Sequence, residues 1–220
     1  MSTGVDAIQL VARHAPQLQT RAWLTAACAL AGAGRRCEAS LGDVIADAIA
    51  HDVPAGELRE ALLQTMLFGG YPCALNALGV WHREMAAHAP EQLAALPSEP
   101  LPWPDDVRER GETNARRVYG RNLDRLLVTA RALSPDLAEW MIVEGYGRVL
   151  GREALLSFES RELCVVATLV PLDAPRQLFS HIKGCANLGI AHDDIRAVVD
   201  LAAGLTGQHD AHTTLREVLG

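Results

Sequence analysis

The stretch SRELCVVATLVPLDAPRQLFSHIKGC, Ser160 to Cys185, decides the fold. Its β-branched core, CVVATLV, is the best strand candidate in the chain. It nevertheless continues directly from SREL, where Ser160 can cap a helix, and Pro171 ends the run. The segment therefore reads as two antiparallel helices closed by a turn near Leu172–Asp173. Glu162 lies about ten residues before that turn and His181 about nine after it. At a rise of about 1.5 Å per residue the two stand at similar heights, so they meet if both face the same side. A carboxylate beside an imidazole sets which ring nitrogen carries the proton, and an imidazole moves protons near neutral pH. Cys185 is one helical turn beyond His181 on the same face, whereas Lys183 points elsewhere.

Outward from this hairpin, helical periodicity covers nearly the whole chain. It predicts helices at about 5–13, 21–33, 39–50, 55–69, 73–88, 108–118, 121–131, 135–149, 160–170, 176–187 and 192–204. Composition agrees: of 220 residues 49% are hydrophobic but only 5% aromatic, and a chain dominated by Ala and Leu favours closely packed helices. The expected fold class is all-α. Gly69–Gly70 and Pro72 break one helix and start the next. The run FGGYPCALNALG that contains them lacks the Lys-Ser/Thr ending of a phosphate loop.

The segment PSEPLPWPDD, Pro97 to Asp106, holds four of the eleven prolines and reads as a linker or rigid arm. It divides the chain into 1–96, a proline-rich connection at 97–107, and 108–220. The halves share an order of elements. TRAWLTAACALAGAG precedes CEASLGDVIADAIAHDVPAGELREALLQ in the first. SRELCVVATLVPLDA precedes RQLFSHIKGCANLGIAHDDIRAVVDLAA in the second. Each has a small-residue helix, a turn, a second helix, a short break at Val53 or Ile190, and an acidic start to a third helix. An internal repeat is the expectation.

The net charge of −7, with no basic run, argues against a nucleic-acid partner. No window approaches the roughly 18 continuous apolar residues of a membrane span, and the N-terminal stretch lacks a secretory pattern. Five cysteines at irregular spacing, without CxxC, read as free thiols in a reducing compartment, and a cytoplasmic protein is expected. His181 and Cys185 lack further ligands at zinc spacing, so no metal is expected. The other seven histidines fall mostly in polar or terminal stretches. In GYGRVLGRE, Gly145 to Glu153, Arg148 and Arg152 stand near the entry to the hairpin, and arginine forks bind carboxylates.

The pattern REL, an Ala/Val-rich helix, a short turn, QLxxHIxGCANLGI and an acidic helix start resembles the carboxymuconolactone decarboxylase-like family. That family shares a superfamily with the alkylhydroperoxidase D proteins. In the first half, HDVPAGELREALLQTMLFGGYPCALNAL resembles the next part of the same pattern. Together the matches cover most of residues 20–85 and 145–205.

The resemblance implies an all-helical homo-oligomer, with chemistry at the Glu of REL, here Glu162, and at the following His, here His181. It implies a cofactor-independent lyase acting on a small carboxylated lactone or related acid. Arg148 or Lys183 would hold the substrate carboxylate, with Cys185 beside it. Peroxidase members carry a CxxC ending four residues before that His, and here those positions are Ala174 and Gln177. Ala22 and Val44 stand where the first half would repeat the pair, so one site per chain is expected. A redox protein using isolated Cys185, Cys37 or Cys73, and a non-catalytic helical oligomer, are the alternatives.

Overall fold

The computed structural model describes residues 4–220, so Met1–Thr3, which open the stretch read for a secretory pattern, lie outside the described residues. The fold is all-α, with no strand among the described residues. Its centre is the pairing of α2 (Arg21–Ala33) with α10 (Phe158–Leu169), the first helix of each expected repeat. A helix that is apolar on every side has to be buried. Accordingly every residue from Ala22 to Ala31 of α2 is buried, as is every residue from Arg161 to Leu169 of α10. Around this pair pack α1 (Gly4–Leu18), α3 (Glu38–Ala50), α4 (Ala55–Leu63) and α12 (His192–Thr206). The resulting hydrophobic core is continuous and draws on both halves.

CVVATLV is thus helix, as its continuation from SREL required, but the cap lies one turn earlier than Ser160. Ser157 is the N-cap, and its hydroxyl accepts from the Ser160 amide at 3.2 Å. The turn places Asp173 at φ 51°, a left-handed conformation that an Asp side chain tolerates. The partner helix α11 (Pro175–Asn187) starts with proline in its first turn, where the missing amide costs nothing.

Helix α5 (Met66–His88) bends where Gly70 takes φ 77°, two residues before Pro72. Two short helices escaped the periodicity: α6 (Pro90–Ala94), barely more than one turn, and α13 (Ala211–Leu219), which packs on α11. Between α6 and α7 (Val107–Tyr119) the proline-rich segment carries no helix.

The helix expected over 135–149 is two structures. After α8 (Leu123–Leu133), α9 (Pro135–Trp140) passes into a π-helix at Met141–Val149, whose wider turn is closed by Leu150 N–H donating to Gly145 O at 2.9 Å. This π-helix packs closely on α7. A Cβ on Gly111 would land on the carbonyl oxygen of Ile142, and one on Gly147 on the carbonyl oxygen of Val107. Glycine at both positions lets the two backbones touch. Asn114 of α7 then donates to Tyr146 O at 3.1 Å. No helix among the described residues is long and apolar enough to cross a membrane.

Candidate functional site

Equal heights on α10 and α11 do bring Glu162 and His181 together. His181 Nδ1 lies 2.8 Å from Glu162 Oε2, with the Glu fully buried and the His 4% exposed. With a carboxylate as acceptor, Nδ1 carries the hydrogen and Nε2 is left for other work. The second carboxylate oxygen, Oε1, is buried without a hydrogen-bond partner among the described residues. A buried, half-satisfied carboxylate stabilises a fold less than apolar packing would.

His181 forms part of the wall of a cavity of about 570 Å³. Elements distant in sequence complete it, α8 and α9 among them. From α5, before the bend, Phe68 meets the imidazole edge-on with ring centres 5.4 Å apart. From the end of α7 comes Tyr119, and from the π-helix Tyr146, their rings 5.8 Å apart. Gly184 makes room for α7: a Cβ there would press on Val118 Cγ1 at 2.5 Å, while Asn187 Nδ2 donates to Val118 O at 2.7 Å. Leu137 and Trp140 line the outer part of the cavity.

Burial, reinforced by the nearby Glu162 carboxylate, pushes the Tyr119 hydroxyl up to about 12. Burial and the same neighbours push Tyr146 well above its ordinary value. Both phenols are therefore neutral donors throughout the physiological range.

The remaining residues singled out in the sequence lie elsewhere. Arg148 pairs with Glu144 at 3.1 Å and sits 4.0 Å over the Trp103 ring, lining a different cavity. Lys183 is exposed and, with Asn187, lines a shallow groove that adjoins the cavity and shares Tyr119, Leu126, Thr129 and Ser180 with it. Cys185 is in the core at 0% exposure and does not line the cavity. Its thiol is pushed well up by burial and by the Glu162 charge, which makes it a poor thiolate. Among the described residues the one cationic side chain lining the cavity is Arg176, in the first turn of α11, one position from the proline that starts it. Sequence reasoning passed over Arg176, Tyr119, Tyr146 and Phe68. Only Arg176, a cation on the helix that carries His181, left a local signal.

No protein-family model matches the chain. It is 30% identical over 146 residues to Peroxisomal protein 2 of Schizosaccharomyces pombe, an alignment that spans 66% of this chain and 67% of that protein. To Peroxisomal protein 2 of Saccharomyces cerevisiae it is 25% identical over 167 residues, spanning 66% of this chain and 59% of that protein. Both relatives are named for the peroxisome, which overturns the cytoplasmic expectation. Cysteine usage and the lack of a secretory pattern bear on redox state and on secretion. Neither separates the cytoplasm from the peroxisome.

Proposed function

The chain belongs to the Peroxisomal protein 2 family, and from that premise we propose that it is an acid–base enzyme of the carboxymuconolactone decarboxylase-like type. The observation that carries the reading is the buried Glu162–His181 pair opening on a largely apolar cavity. The substrate is a small carboxylated lactone or related acid, and no cofactor takes part. The bond to the carboxylate breaks, CO₂ leaves, and the electron pair stays on a carbon conjugated to a carbonyl. His181 delivers a proton to that carbon from Nε2, while Glu162 holds Nδ1 and supports the charged ring. The neutral phenol of Tyr119, itself accepting from Tyr146, offers a donor to the oxygen on which negative charge develops. Arg176 takes the anchoring role first given to Arg148 or Lys183. The relatives' name carries to this chain the expectation of a peroxisomal setting.

Of the thiols the redox alternative uses, Cys185 is buried and pushed well up by that burial, while Cys37 and Cys73 are partly exposed, with Cys73 also raised by burial. The test is a panel of carboxylated lactones and related acids in deuterated water. The expected result is CO₂ release with one solvent deuteron placed on the carbon that lost it. Silence across the panel, or CO₂ release without that label, would overturn the reading.

The homo-oligomer is part of the same proposal. Leu133, Leu137 and Trp140, at 79%, 46% and 62% exposure, border the mouth of the cavity, and Val128 at 65% adds to the exposed apolar surface of α8. Sedimentation is expected to show an assembly at micromolar concentration, and a clean monomer would refute it.

A further inference from the structure

A second cavity, of about 720 Å³, lies beneath the proline-rich segment and shares no residue with the first. Its wall carries more positive than negative charge. Glu60, 1% exposed, receives a two-pronged contact from Arg152, at 2.9 and 2.7 Å, and a third bond from Arg161 at 2.9 Å. Two guanidiniums thus share one carboxylate, leaving a net charge of +1 in a buried cluster. Arg161 is fully enclosed and its other bonds go to the neutral acceptors Gln64 Oε1, Leu156 O and Arg152 O. Arg152 keeps 25% of its side chain exposed and lines the cavity.

Beside it Arg59 donates to the carbonyl of Pro97 at 3.2 Å and has no carboxylate partner among the described residues. Arg110 and Arg148, on the same wall, are already paired with Asp106 and Glu144. The cavity's own carboxylates besides Glu60 reduce to the exposed Glu99. Trp81 also lines it. This residue is 5% exposed, and its indole N–H is buried without a hydrogen-bond partner among the described residues.

We propose that this cavity is a binding site for a small organic oxyanion, held by the forks of Arg59 and Arg152, with its flat body against the Trp81 and Trp103 walls. The ligand supplies the charge that Glu60 alone does not, and arginine forks match the oxygens of a carboxylate or a phosphate. The site is independent of the Glu162–His181 chemistry, although Arg161 stands next to Glu162 in the chain.

The experiment uses the full chain, labelled with ¹⁵N, titrated with benzoate, phenyl phosphate and the uncharged control benzamide. Binding is read by calorimetry and by the indole resonance that Trp81→Phe removes. At least one oxyanion is expected to bind and to shift that resonance, and which one does so names the source as carboxylate or phosphate. Benzamide should leave the resonance in place. Arg59→Gln and Arg152→Gln should each weaken binding about tenfold or more, the loss of one charge-assisted contact. Arg152→Gln leaves Glu60 and Arg161 as a neutral pair, and Arg59→Gln touches no buried partner, so each variant retains a folded site. His181→Ala should leave the affinity unchanged. The proposal is overturned if neither oxyanion moves the Trp81 resonance at millimolar concentration, if both arginine variants bind like the parent, or if His181→Ala abolishes binding.

Discussion

Replacing Glu60 by glutamine is expected to destabilise the protein by about 3–5 kcal/mol, the cost of leaving a buried charge without its partner. Arg152 can turn toward water, but Arg161 is completely enclosed and keeps its charge. Glutamine preserves the shape and an acceptor oxygen, so the loss reports charge and not volume. The effect has a definite pH signature. Burial by itself would raise the Glu60 carboxyl, but the bonds from Arg152 and Arg161 and their charges outweigh it and hold the group below its ordinary value. A folded-state value below the unfolded one means stability that is present above the ordinary carboxylate range. It is lost as pH falls through the lowered folded value. Denaturant midpoints should therefore show the parent losing an acid-sensitive contribution that Glu60→Gln lacks at every pH. Equal midpoints at neutral pH, or identical acid profiles, would show that Glu60 does not hold this cluster together.

For His181→Ala the expected change is a fall in turnover of about 10²–10⁴, the range for losing a general acid–base group. Far-ultraviolet circular dichroism should remain helical, because His181 sits on the cavity wall and α10 packs on α2 without it. The variant strands Glu162, whose Oε1 already lacks a partner among the described residues, so Glu162→Gln serves as the companion. It keeps an oxygen to accept from Nδ1 and removes the negative charge that supports an imidazolium. Its turnover should fall less, with a changed pH–rate profile. Full activity in His181→Ala on an identified substrate would remove the imidazole from the mechanism.

How much of this was legible from the sequence depended on how far apart the contributing residues lie. Within Ser160–Cys185 a rise per residue and a turn position were enough to pair Glu162 with His181, because one hairpin contains both. The rest of the site converges from α5, α7, α8, α9 and the π-helix, and no local spacing reports such convergence. Arg148 was misplaced for a related reason. Spacing locates a residue along a helix but does not say which cavity its face meets, and the π-helix breaks the 3.6-residue period used to count faces. Arg161, inside the REL element, was not singled out in the sequence. Its partner Glu60 lies 101 positions away, and only the fold brings them together. The compartment was not encoded in the features read at all.

The pairing of α2 with α10 also bears on how the chain is made. During synthesis α2 leaves the ribosome long before α10 has been translated, and α2 is apolar on every side. Its neighbours α1, α3 and α4 cover part of that surface early, but the face reserved for α10 stays open to water until most of the second half has emerged. The nascent protein therefore cannot finish folding one half at a time. Its N-terminal portion spends that interval as an exposed apolar surface, the kind of surface that chaperones bind.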